Sequence, residues 1–287
     1  MMVAKISRPE DDVIDLLNRT FSERKRFTKF YNLIKKDYIT QNTLYERAKG
    51  CPSIISPLDL SIYTSSAEEA EARKESLINL YSPKNNKLPY KELEKIRKKN
   101  KLVSCPMCGE PGRPRTLDHF LPKTTYPELA INLLNLVPCC DWCQGEKKVE
   151  YSNASGKRCY LHPYFDEVNF PLFKIVFSEP YLTPIIGIEV YQHIDDELKS
   201  LILSHLDGVG FFDRFSDIFE TSYLTILRIA QKSRIPGSST LTQSLISAME
   251  IAEGKGLNSW DAILYRSVLE DQNLIDFLET NALPDYL

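Results

Sequence analysis

CPMCGEPGRPRTLDHFLPKTTYPELAINLLNLVPCCDWCQGEKK, residues 105–148, carries two Cys-x-x-Cys pairs on either side of an Asp-His dipeptide. Cys105/Cys108 and Cys140/Cys143 have the spacing of two knuckles converging on one tetrahedral zinc. Four thiolates leave no open position for water, so that zinc is expected to be structural. Gly109 permits a tight turn after the first pair, and the second pair reads as the start of a helix. Cys139 leaves a second register open, in which it pairs with Cys143, although Cys140/Cys143 matches the first knuckle. Between the knuckles, Asp118 supplies a hard carboxylate beside the proton acceptor His119.

A chain of 287 residues implies about one to two domains and a core that needs no covalent help. No apolar run approaches the roughly 20 residues that span a bilayer, and the N-terminus does not read as a basic-then-apolar leader. Seven cysteines, an odd number with two close pairs, argue for metal binding in a reducing compartment rather than a disulfide framework. The expectation is a cytoplasmic protein, with Cys51 and Cys159 as buried free thiols.

The net charge of -3 hides an uneven distribution. Residues 84–158 carry 15 basic and 8 acidic side chains, whereas residues 159–287 carry 8 and 19. A basic segment around the candidate site is the footprint expected of a phosphate-backbone ligand, because Lys and Arg release condensed counterions on binding. The alternative for KELEKIRKKNK, residues 91–101, is a solvated helix face.

Helical spacing of apolar residues runs through 10–20 (Leu16, Leu17, then Phe21) and 22–39 (Phe27, Phe30, Tyr31, Ile34). Further helices are expected over 41–49, from a Ser66 cap to Tyr81, and over 89–99. After the Cys-rich module, FKIVF at 173–177 and IIGIEVYQHI at 185–194 read as strands. Asp195 then caps a helix to about Asp207, and helices fill 211–234, 240–253 and 258–282. The fold class is therefore α+β, mainly helical, with an N-terminal helical region (1–99), a metal module (100–166) and a C-terminal mixed then helical region (167–287).

A zinc deaminase is excluded. That chemistry needs His-x-Glu followed by Pro-Cys-x-x-Cys, but Leu121 stands where the Glu should be and Pro138 leads into Cys139-Cys140-Asp141-Trp142.

Asp118-His119, then Asn135-Leu136 ahead of Cys140, then Cys143-Gln144-x-x-Lys147, resembles the HNH endonucleases with a ββα-metal core. More narrowly, LDHFLPK, YPELAI, NLVPCC and LHPYFD at 161–166 are similar to the PtuB-type HNH nucleases of Septu and retron antiphage defence systems. The resemblance covers roughly residues 100–166. It implies two strands and a helix held by the four-cysteine zinc site, DNA cleavage with one Mg2+ or Mn2+ ion, and an ATPase partner (PtuA-like) in a defence complex. Asn135 would then hold the loop that orients His119.

Phosphodiester hydrolysis needs a base to deprotonate water and a cation to stabilise phosphate charge. His119 would be the base, and Asp118 would ligate Mg2+ from the opposite side of the strand. Gln144 stands where most relatives have Asn or His as the second ligand; its amide oxygen still coordinates a hard cation, with one extra methylene. His162 is the alternative ligand, against a packing role beside Pro163 and Tyr164. Arg115, Lys123 and Lys147 are candidate phosphate contacts. Two other readings compete: a zinc-knuckle binding scaffold with weak or no nuclease activity, and a stand-alone restriction or homing endonuclease.

Overall fold

The computed structural model describes residues 5–284. The chain divides into two compact units: residues 5–102 with 114–166, and residues 103–113 with those from 167 onward. It is mixed α+β and about half helical.

In the first unit, α1 (Val13–Ser22) starts where the Asp12 carboxylate accepts the Asp15 N–H at 2.7 Å. Neighbouring positions on α1 serve different clusters. Leu16 joins Leu93, Ile96, Leu117, Leu133 and Leu136, while Leu17 joins Phe21, Phe30, Tyr31, Ile34 and Tyr38. Each such side chain contributes about 1.5–3 kcal/mol through burial. α2 (Thr28–Arg47) is one helix, continuous across the break expected near residue 40, since no Gly or Pro interrupts it. Phe27 lies outside it with a φ of 58°, largely exposed, its ring 3.9 Å from the Arg73 guanidinium carbon.

α3 (Ala67–Ile78) is capped by Ser66 on the Glu69 N–H, as its sequence predicts, and a 3-10 turn at Asn79–Tyr81 follows. α4 (Tyr90–Lys98) lays Leu93 and Ile96 against the strands. β1 (Thr116–His119) and β2 (Leu136–Cys139) pair antiparallel, with Asp118 opposite Val137 and His119 opposite Leu136. α5 (Asp141–Lys147) follows directly and packs on β1, so the segment has the order β, β, α.

In the second unit, β3 (Phe173–Ser178) and β4 (Ile185–Val190) form an antiparallel pair from Phe173↔Val190 to Ser178↔Ile185. Phe173, Ile175 and Phe177 alternate inward at the two-residue period of a half-buried strand. α6 (Asp196–Gly208) begins at Asp195, which accepts the Leu198 N–H at 2.9 Å. α7 (Phe211–Ser233) buries Phe211, Phe215, Phe219 and Tyr223 at four-residue spacing, and α8 (Leu241–Lys255) opens on a Thr240/Gln243 capping box. The expected helix over 258–282 is two: α9 (Trp260–Glu270) and α10 (Gln272–Thr280), broken where Asp271 caps the Leu274 N–H at 3.0 Å. Among the described residues no helix is long and apolar enough to cross a membrane.

Candidate functional site

The ligand atoms of Cys105, Cys108, Cys140 and Cys143 all lie within 4.8 Å of one another, a spacing at which four soft sulfurs can hold a metal such as zinc. Cys140 is the N-cap of α5, its sulfur accepting the Cys143 N–H at 3.5 Å. The neighbouring Cys139 instead faces Thr116, whose hydroxyl lies 3.2 Å from its sulfur, so the register is Cys140/Cys143. In the first knuckle the Gly109 N–H donates to the Cys105 carbonyl at 2.8 Å with a φ of 81°, a conformation glycine adopts at least cost. Its carbonyls are held from the same unit: His205 Nε2 donates to Met107 at 2.6 Å and Trp260 Nε1 to Cys108 at 2.5 Å. Arg214 pairs with Glu110 and reaches the Cys108 sulfur at 3.6 Å. Cys51 and Cys159 are half-buried rather than buried.

On β1, Asp118 and His119 are 7 % and 8 % exposed. His119 Nε2 lies 2.9 Å from the Ala130 carbonyl, which can only accept, so Nε2 carries the proton and Nδ1 is left as the acceptor. Burial, reinforced by Lys123 and Lys147, pushes the imidazole down to about 3, so it is neutral at physiological pH. Asn135 spans the loop that leaves β1: its Oδ1 accepts the Leu121 N–H at 2.8 Å and its Nδ2 donates to the Leu121 carbonyl at 2.9 Å. The backbone adds Phe120 N–H to the Asn135 carbonyl at 2.8 Å.

Lys147 is where the structure departs most from the sequence reading. Expected at a phosphate surface, it is 1 % exposed, because its ammonium lies 2.9 Å from Asp118 Oδ2 and donates to the His119 carbonyl at 3.0 Å. Burial raises the Asp118 carboxyl and the Lys147 charge pulls it back down. Gln144 Nε2 donates to the Leu117 carbonyl at 3.1 Å, leaving Oε1 as the end of the amide able to face a cation.

Both nitrogens of His162 are engaged by other groups. Nδ1 accepts the Tyr164 N–H at 3.2 Å and Nε2 meets the Tyr45 hydroxyl at 2.9 Å. Phe120 and Phe165 close on the ring at centroid distances of 4.1 and 4.4 Å. Burial holds the imidazole well below its ordinary value, so this is a neutral core histidine. Arg115 is exposed and Lys123 half-buried. Within 91–101, Lys95 pairs with Asp11 and both Arg97 and Lys98 with Glu94, which leaves Lys91, Lys99 and Lys101 exposed and outside any ion pair among the described residues.

Two further residues were not singled out as site residues from the sequence. Tyr81, in the turn after α3, packs edge-on with His119, ring centroids 4.5 Å apart. Glu128 is fully buried; one oxygen accepts the Leu58 N–H at 3.0 Å and the other has no hydrogen-bond partner, so burial pushes its carboxyl up to about 7.

No family model matches the chain, and no solved structure matches it. It is similar to protein ea31 of Escherichia phage lambda, 38% identical over 63 residues, which are 22% of this chain and 21% of that protein. It is also similar to Septu protein PtuB of Bacillus thuringiensis, 39% identical over 101 residues, 34% of this chain and 37% of that protein. The chain thus spans about a fifth of the first relative and little more than a third of the second. The second similarity supports a Septu-like relationship.

Proposed function

We propose that the chain is an HNH endonuclease that hydrolyses DNA phosphodiester bonds with a divalent ion, and that it serves antiphage defence alongside an ATPase partner. The observation that carries this reading is a neutral imidazole with a free Nδ1, next in the chain to a buried carboxylate on the first strand of a β, β, α segment whose helix begins in the cysteine cluster. The defence role and the partner rest on the similarity to Septu protein PtuB.

In this reading His119 Nδ1 takes the proton of the attacking water, and Asn135 holds the following loop so that the imidazole keeps its place. Asp118 and Gln144 Oε1 would hold Mg2+ or Mn2+, which supplies charge stabilisation on the phosphate. Lys123 and Arg115 would meet the DNA backbone; Lys147 instead keeps the unbound carboxylate neutralised. Zinc at the four cysteines would support the fold.

The Asp118–Lys147 pair and the low exposure of His119 favour a second reading, a knuckle scaffold whose nuclease centre is weak. Incubating the pure protein with supercoiled plasmid, with and without Mg2+ or Mn2+, separates the two. Divalent-dependent nicking is expected; DNA binding without nicking under every ion condition would favour the scaffold.

A further inference from the structure

Tyr81 lies 38 positions before His119, outside the segment that carries the motif, yet its ring lies against both the candidate base and Lys123. It meets the His119 imidazole edge-on at 68° with centroids 4.5 Å apart. The Lys123 ammonium lies 4.5 Å from the same ring centroid, and Lys123 has no carboxylate partner among the described residues. The phenol donates to the Leu117 carbonyl at 3.3 Å and accepts from Arg97 Nη2 at 3.3 Å, which ties the ring to β1 and to α4.

We propose that Tyr81 is a positioning residue of the nuclease centre, fixing the plane of His119 and holding the Lys123 ammonium beside it so that base and cation face one phosphodiester. The inference rests on the nuclease reading. A single hydrogen bond from Nε2 to Ala130 fixes one point of the imidazole and leaves its plane free to tilt; the edge-on ring removes that freedom. The negative face of the phenol attracts the ammonium without neutralising it, as a carboxylate would, so the full charge of Lys123 stays available to a phosphate.

The test compares the full chain with Tyr81→Phe, Tyr81→Met, Lys123→Ala and the Tyr81→Met/Lys123→Ala double variant, all checked for zinc content and melting temperature. Affinity for a short DNA duplex is read by fluorescence anisotropy without divalent ions, and kcat and KM are read in Mn2+. Tyr81→Phe is expected within about twofold of wild type, since it keeps the ring. Tyr81→Met should lose roughly fivefold in affinity, with Lys123→Ala adding nothing in that background, and its kcat should fall roughly a hundredfold. Additive losses, or a Tyr81→Met variant equal to wild type, would overturn the proposal.

Should the methionine variant fail to fold, stepwise fluorinated phenylalanines at position 81 keep the shape and weaken only the ring's negative face. Affinity should then fall with each fluorine, and indifference to fluorine overturns the role in holding Lys123. A wild-type protein that binds the duplex without cutting it ends the nuclease reading, while the coupling of Tyr81 to Lys123 is still decided by the affinities. A wild type that does not bind DNA overturns both.

Discussion

Lys147→Met removes a buried ammonium and leaves Asp118 in place. At 2.9 Å and an effective dielectric of about 20 the lost attraction is about 6 kcal/mol. Both charges had already given up several kcal/mol each in hydration, so the measurable cost is smaller. With the Lys147 side chain 1 % exposed and that of Asp118 9 % exposed, it should be about 3–5 kcal/mol, the range for breaking a buried pair by deleting one partner. The Asp118→Asn/Lys147→Met double variant removes both charges and should recover most of that loss.

The deficit also has a sign in pH. Burial raises the Asp118 carboxyl, and without Lys147 only a backbone hydrogen bond at His119 opposes it. A raised folded value stabilises the protonated form, so Lys147→Met should lose stability as pH rises through that value and recover on acidification. The assay is denaturant unfolding followed by circular dichroism, at constant zinc, over a pH series. A loss under about 1 kcal/mol, or a double variant that simply sums the two single losses, would refute the reasoning.

Three further outcomes follow from the same geometry. Cys143→Ser should lower bound zinc, measured by mass spectrometry of the metal, and should lower the melting temperature; unchanged zinc would dismiss the cluster as its site. Glu128→Gln should gain on wild type as pH rises from about 4.5 to 7, by about 3 kcal/mol in total, because the buried carboxyl titrates near 7 and its ionisation destabilises the fold; a pH-independent difference would contradict this. Gly50→Ala should destabilise by about 1–3 kcal/mol, since its φ is 69° and a Cβ would lie 3.0 Å from both His162 Cδ2 and the Tyr45 hydroxyl, and a melt at the wild-type temperature would show that this packing yields.

Local signals made most of the elements legible. Ser66 and Asp195 marked their helices because a capping side chain acts within three residues of itself. The cysteine spacing pointed to the cluster for the same reason. The single helix expected over 258–282 missed the stop between α9 and α10, where Asp271 caps the Leu274 N–H.

What escaped the sequence was pairing at long range. Lys147 reads as one more cation in a basic segment until Asp118, 29 positions earlier, is found beneath it. Likewise Tyr81 closes the turn after an ordinary helix and acquires meaning through His119, and the knuckle's supports at His205, Arg214 and Trp260 lie about 100 to 150 positions away from it. Nor did the sequence show that both nitrogens of His162 are engaged, by Tyr164 and Tyr45.

The measurement that bears most directly on the central claim compares plasmid cleavage by wild type and His119→Ala in Mg2+ or Mn2+, with zinc content and melting temperature followed alongside. General-base catalysis contributes roughly 10²–10⁴-fold, so the variant should cut at least about a hundredfold more slowly while keeping its zinc and folding cooperatively. A folded, zinc-loaded His119→Ala protein that cuts at the wild-type rate would contradict the assignment of His119 as the base.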